Sequence, residues 1–155
     1  MHREISRRDL IKAALAASLT AVGTAGCNSS SEETGLGSGD LLPKAVGATK
    51  NADGTATVAG GGQLSAGSAM PITLPDQRPA LLFKTKSGEV RALSALCTHN
   101  QCTVTWDGAN QKINCPCHGS VFDLSGKPEK GPAEVPLEKY SVQIKGSDAV
   151  LQLKS

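Results

Sequence analysis

The stretch from residue 97 to residue 120 decides how this chain reads. It opens with Cys97-Thr98-His99-Asn100-Gln101-Cys102 and closes with Cys115-Pro116-Cys117-His118-Gly119-Ser120. The chain has three histidines and five cysteines, and only His2 and Cys27 lie outside these two boxes. Each box offers one thiolate, one imidazole and a spare cysteine. That concentration of soft and borderline donors is the pattern of a metal centre. Pro116 stiffens the second box, and Gly119 permits a tight turn beside its donors.

Two thiolates and two imidazoles on facing loops suit a [2Fe–2S] cluster with mixed ligation, and so electron transfer rather than bond-making chemistry. Cys97 and Cys115 can supply thiolates to one iron, and His99 and His118 can supply neutral imidazoles to the other. Replacing two thiolates by neutral ligands removes negative charge and stabilises the added electron. The potential then rises to about −150 to +300 mV, against about −400 mV for plant-type clusters held by four cysteines. An imidazole ligand also keeps a second ring nitrogen that can exchange a proton, so electron and proton can move together. Zinc accepts the same donor types. The extra cysteines and the crowding of Cys115, Cys117 and His118 speak against it.

Outside the boxes the pattern is one of short strands. Ala80 to Lys84 and Val90 to Ala95 flank Ser87-Gly88 as a hairpin. Cys102 to Trp106 alternates, Asp107-Gly108 signals a turn, and Gln111 to Asn114 leads into the second box. Tyr140 to Lys145 puts Tyr140, Val142 and Ile144 on one face, and Val150, Leu151 and Leu153 suggest a last strand after Gly146-Ser147-Asp148. Residues 41–78 are ambiguous, because Gly60-Gly61-Gly62, Pro71, Pro75 and Pro79 break any long helix; Thr55 to Val58 fits one short edge strand. With one Trp, one Tyr and two Phe, the core must rest on aliphatic side chains. The fold class is all-β.

The two boxes resemble those of the Rieske iron–sulfur domain, in the subgroup with a disulfide between the cluster loops, as in the iron–sulfur subunit of cytochrome bc-type complexes. The resemblance extends weakly over residues 80–155. It implies an antiparallel β-sandwich of three sheet layers with an inserted cluster-binding subdomain. It also implies that Cys97, His99, Cys115 and His118 are the ligands of the [2Fe–2S] cluster, that Cys102 and Cys117 form the disulfide, and that the histidines face solvent. By the same resemblance Ser120 donates a hydrogen bond to a bridging sulfide and raises the potential, and Gly131-Pro132-Ala133-Glu134 begins a cover loop. Phe122 stands where high-potential relatives carry a tyrosine, and Asn100-Gln101 where many carry Leu-Gly. These departures imply a potential below the highest of the group and a more polar docking tip. Trp106 reads as a packing residue.

Ser6-Arg7-Arg8-Asp9-Leu10-Ile11-Lys12, followed by an apolar run from Ala13 to Ala25, resembles a twin-arginine export signal. Thr24-Ala25-Gly26-Cys27 resembles a lipoprotein processing box, which makes Cys27 the candidate lipidation site. The alternative is an uncleaved N-terminal membrane anchor. Residues 1–26 are thus read as the signal, 27–42 as a flexible tether and 43–155 as the Rieske domain. From Cys27 onward, 12 basic residues balance 12 acidic ones with no polybasic tract, which excludes nucleic acid as a partner.

The expected protein is therefore an exported, lipid-tethered electron carrier on the extracytoplasmic face of a bacterial membrane, and not a catalyst by itself. In the leading reading quinol reduces it within a cytochrome b complex and it reduces a c-type cytochrome. The alternatives are a small subunit of an exported molybdopterin oxidoreductase of the arsenite-oxidase type and a stand-alone lipoprotein carrier. A ring-hydroxylation ferredoxin fits less well, because such proteins are usually cytoplasmic and lack the spare cysteine pair.

Overall fold

A computed structural model describes residues 44–153. The signal at 1–26, the lipidation site Cys27 and the tether at 27–42 lie outside the described residues. Among the described residues, no helix is long and apolar enough to cross a membrane.

Twelve strands and one short 3₁₀ turn make up the described chain. They are β1 (Val46–Gly47), β2 (Thr49–Lys50), β3 (Thr55–Val58), β4 (Ala69–Thr73), β5 (Pro79–Lys84), β6 (Val90–Ser94), β7 (Thr105–Asp107), β8 (Lys112–Asn114), β9 (Val121–Phe122), β10 (Pro128–Lys130), β11 (Lys139–Lys145) and β12 (Asp148–Gln152). The larger sheet runs β1-β4-β5-β6-β11-β12-β3-β2, and a separate sheet runs β10-β9-β8-β7. β11 is the joint of the larger sheet. Its first residues, Lys139 and Tyr140, pair with Leu93 and Ala92 of β6, and Ser141 to Lys145 pair with β12. Two halves meeting at β11, with the small sheet as a third layer, give the expected sandwich.

β5 shows why the layers stack. Its sequence Ala80-Leu81-Leu82-Phe83 is buried throughout, and successive side chains point to opposite faces. Leu81 and Phe83 enter a core shared with Ile113 and Phe122 of the small sheet. Ala80 and Leu82 enter a second core with Val58, Ala149 and Leu151. A strand apolar on both faces is what a middle layer requires. The β5–β6 hairpin closes where the amide of Thr85 donates to the Glu89 carbonyl at 2.8 Å, with Gly88 at φ 93°, a backbone region that favours glycine.

Residues 105–130 form the small sheet, inserted between β6 and β11. Hydrogen bonds hold its far end to the larger sheet. Trp106 Nε1 donates to the Gly67 carbonyl at 2.8 Å, Lys86 N donates to Gln111 Oε1 at 2.7 Å, and Arg91 donates to the Leu124 carbonyl at 3.1 Å. Trp106 also stacks on Phe83 with ring centroids 4.8 Å apart, in keeping with the packing role read from the sequence.

Four expectations need correction. Thr55–Val58 is a strand but not an edge, since it pairs with β12 on one side and β2 on the other. The ambiguous region 41–78 holds β1, β2 and β4 besides. β4 contains Pro71, at a point where β1 does not yet pair with it, so no neighbour on that side asks Pro71 for an N–H. β1 pairs with β4 in parallel, an exception to the antiparallel pattern. Cys102 to Thr103 does not join β7, because Cys102 is held by the disulfide and by the Cys97 amide, which donates to its carbonyl at 2.9 Å. Finally Ile144, on the same face of β11 as the buried Tyr140 and half-buried Val142, is not covered and is 46% exposed.

Candidate metal centre

The two boxes adopt the same hydrogen-bonded loop. In the first, the Cys97 amide donates to the Cys102 carbonyl at 2.9 Å and the Gln101 amide to the Cys97 carbonyl at 2.7 Å. In the second, the Cys115 amide donates to the Ser120 carbonyl at 2.8 Å and the Gly119 amide to the Cys115 carbonyl at 3.0 Å. The fifth residue of each loop takes a positive φ, 54° at Gln101 and 75° at Gly119. Glycine does this without penalty; glutamine at that angle is strained by about 1–2 kcal/mol. The structural equivalence of Gln101 and Gly119 escaped the sequence reading, because an internal glutamine carries no turn signal.

This shared loop sorts the donors by depth. Cys97 and Cys115 are buried free thiols, packed in the same core as Phe122, Ile113 and Val104. His99 and His118 are exposed, and their rings lie edge to face with centroids 4.8 Å apart. Burial, and after it the hydrogen-bonded thiol of Cys97, push the Cys115 thiol above its ordinary value. That shift favours the protonated thiol of Cys115, whose proton a cation on the sulfur would displace. Cys102 and Cys117 are joined across the loops by a disulfide.

Ser120 is fully buried, and its hydroxyl accepts the amide of Ala133 at 3.0 Å. Accepting that bond leaves the hydroxyl proton free for donation. Ala133 belongs to the cover segment 131–136, which Thr98 holds from the other side. The Thr98 hydroxyl donates to the Val135 carbonyl at 2.6 Å. The segment thus bridges both boxes. Thr98 was not singled out from sequence, and its partner lies 37 residues away, too far for any local pattern to reveal it. Val135 is 61% exposed. The tip formed by His99, Asn100, Gln101, His118 and Val135 is exposed to solvent.

The donor set fits a two-iron, two-sulfide cluster. It offers one pair of adjacent thiols and one pair of adjacent imidazoles, which is one pair for each iron. The thiol pair is sunk in apolar surroundings and the imidazole pair faces outward. Residues 55–141 match the family of the Rieske [2Fe-2S] domain. The chain belongs to that family.

This Rieske domain is 37% identical over 71 residues, 46% of the chain, to the cytochrome b6-f complex iron-sulfur subunit of Chlorobaculum thiosulfatiphilum, covering 39% of that protein. It is 44% identical over 75 residues, 47% of the chain, to the subunit of the same description from Prochlorococcus marinus strain AS9601, covering 42% of it. The matched part thus spans about two fifths of these relatives' length. Among solved structures, the cyanobacterial plasma membrane Rieske protein PetC3 from Synechocystis PCC 6803 superposes with a TM-score of 0.51 at 36% identity, over 55% of this chain and 86% of that one. The ferredoxin of carbazole 1,9a-dioxygenase from Nocardioides aromaticivorans IC177 gives a TM-score of 0.55 at 25% identity, over 64% of this chain and 98% of that one.

Proposed function

We propose that this Rieske domain is a one-electron carrier in which Cys97 and Cys115 hold one iron of a [2Fe–2S] cluster and His99 and His118 hold the other. The observation that carries the reading is the segregation of donors: two buried thiols on the inner side and two exposed imidazoles on the outer. The cluster supplies a site that takes up one electron, at a potential raised by the neutral imidazoles. The protein's residues supply the rest. The apolar core around Cys97 and Cys115 keeps water from the thiolate side. The exposed imidazoles give partners a short route for the electron and a ring nitrogen for the proton. The Ser120 hydroxyl, oriented by Ala133, offers a hydrogen bond that favours the more negative, reduced state. Phe122 has no hydroxyl to add a second such bond, which keeps the potential below the upper end of the range.

The relatives described as cytochrome b6-f complex iron-sulfur subunits support a place in a bc-type complex, with electrons received from quinol on a cytochrome b and passed to a c-type cytochrome. The chain does not complete quinol oxidation alone, since that needs a second electron path. The export pattern at 1–26 supports an extracytoplasmic location. A lipid on Cys27, or else an N-terminal anchor, would hold the domain at the membrane, with 27–42 as its tether. One observation favours a second reading. The exposed carboxamides of Asn100 and Gln101 make the tip polar, which suits docking on a hydrophilic oxidoreductase subunit, such as a molybdopterin enzyme of the arsenite-oxidase type.

Voltammetry of the cluster-containing protein at neutral pH tests the ligation. A midpoint within about −150 to +300 mV is expected; a value near −400 mV overturns mixed ligation. A midpoint above 0 mV, with reduction by quinol in membranes that hold the partner complex, supports the bc-type placement. A midpoint at the bottom of the range overturns it.

A further inference from the structure

Three sulfurs meet where the two loops face each other. The Sγ atoms of Cys102, Cys115 and Cys117 all lie within 4.8 Å of one another. Two of them form the disulfide and the third, Cys115, is a free thiol. A thiol beside a disulfide is the reactant pair of thiol–disulfide exchange, which needs a thiolate in line with the bond it breaks but no outside oxidant; with all three sulfurs this close to one another, a side-chain rotation precedes the in-line approach.

We infer that, when the cluster is absent, Cys115 attacks the neighbouring disulfide, captures Cys102 and releases Cys117. The Cys115–Cys102 sulfur bond forms as the Cys102–Cys117 bond breaks. Cys115 gives its proton to solvent, and the departing Cys117 thiolate takes one up, so nothing is oxidised or reduced overall. The inference rests on the reading of Cys115 as a cluster ligand, because iron on that sulfur removes the nucleophile.

The direction of exchange follows from the surroundings of each sulfur. Attack on Cys117 would join residues two apart in the chain and strain the backbone. Attack on Cys102 expels Cys117, which is exposed, whereas Cys102 is half-buried. A solvated thiolate is the better leaving group. Cys115 is buried, which limits the approach of its sulfur, so the exchange runs on the minutes-to-hours scale of uncatalysed disulfide rearrangement. A cluster bound promptly is therefore safe, and a site left empty is slowly closed. The product still carries a bond between the two loops but has lost a ligand. It cannot take up a cluster until a thiol reductant resets it, and it displays a new reactive thiol at Cys117.

The test uses the full chain isolated with its cluster, whose content is read first from the visible spectrum. The cluster is stripped with a ferrous chelator under argon at neutral pH. Samples are quenched at intervals with iodoacetamide, and the peptides are sequenced. The expected result is alkylation that moves from Cys115 to Cys117 while two of the four box cysteines are alkylated at every time, as a redox-neutral step demands. Persistent labelling of Cys115 with Cys117 protected overturns the inference. So does loss of label from both Cys97 and Cys115, which signals direct oxidation. Cys97→Ser disables the site yet keeps all three reacting sulfurs, and exchanges from the outset; Cys115→Ser leaves Cys117 unlabelled. A chain that shows no cluster spectrum yet exchanges would sink the cluster reading and leave the exchange standing. A loaded chain that does not exchange after stripping would do the reverse.

Discussion

The amide of Ala133 donates to the Ser120 hydroxyl across 3.0 Å, so a backbone group of the cover segment sets the rotor of a side chain in the second box. Both residues are buried, and the serine proton is thereby directed to another acceptor. Ser120→Ala removes that donor without adding volume. The reduced state loses one charge-assisted bond, about 1–2 kcal/mol, which for a one-electron couple at about 59 mV per tenfold is a fall of about 40–90 mV. Voltammetry of the two proteins checks this; an unchanged midpoint would show that the hydroxyl bonds nothing that changes charge.

The disulfide closes a loop of sequence separation 15. In the chain-entropy view such a crosslink stabilises by about 3 kcal/mol. The double variant Cys102→Ser, Cys117→Ser is expected to lose about that much in guanidinium denaturation and to release its iron faster on warming. Equal midpoints of denaturation would mean that loop strain offsets the entropic gain.

Gly108 sits against the junction of the two sheets. A Cβ there would lie 2.5 Å from the Gly67 carbonyl oxygen and 3.0 Å from Trp106 Nε1, inside the bond that ties the small sheet to the larger one. Gly108→Ala should destabilise by about 1–3 kcal/mol and change the near-ultraviolet dichroism of the single tryptophan. An unaltered spectrum with unaltered stability would mean that the turn shifts aside freely.

Asp123 shapes the β9–β10 turn. Its Oδ1 accepts the Ser125 amide and hydroxyl, each at 2.7 Å, and the Lys127 amide at 2.9 Å. Partial burial pushes this carboxyl up. The Ser125 hydroxyl, the two amides and the charge of Lys112 outweigh it and hold the carboxyl below its ordinary value. A depressed folded value means stability that is present above the ordinary carboxylate range and lost as pH falls through the folded value. Asp123→Asn should therefore cost about 1 kcal/mol at neutral pH, and the two proteins should converge below about pH 4. Thermal unfolding followed by far-ultraviolet dichroism from neutral to acid pH measures it; a gap that stays constant would rule out the charge as its source.

The donors and the hairpin around Ser87-Gly88 were legible because they are local. Box spacing places cysteine, histidine and turn residues within six positions, and strand alternation needs only nearest neighbours. β4 was not legible, since Pro71 opposes a strand everywhere except beside a missing neighbour. Neither was the interior place of Thr55–Val58, which depends on β2 and β12 arriving from either side.

The chemistry of the site follows from side-chain identity and spacing: which donors exist, how soft they are, and that two short boxes carry them. The tertiary structure alone decided their depth and their neighbours. It sank Cys97 and Cys115 into the core and left His99 and His118 outside. It also brought Ala133 and Val135 from a distant segment to Ser120 and Thr98. Donor identity is a property of single side chains. Burial and long-range hydrogen bonds exist only once separate strands have packed.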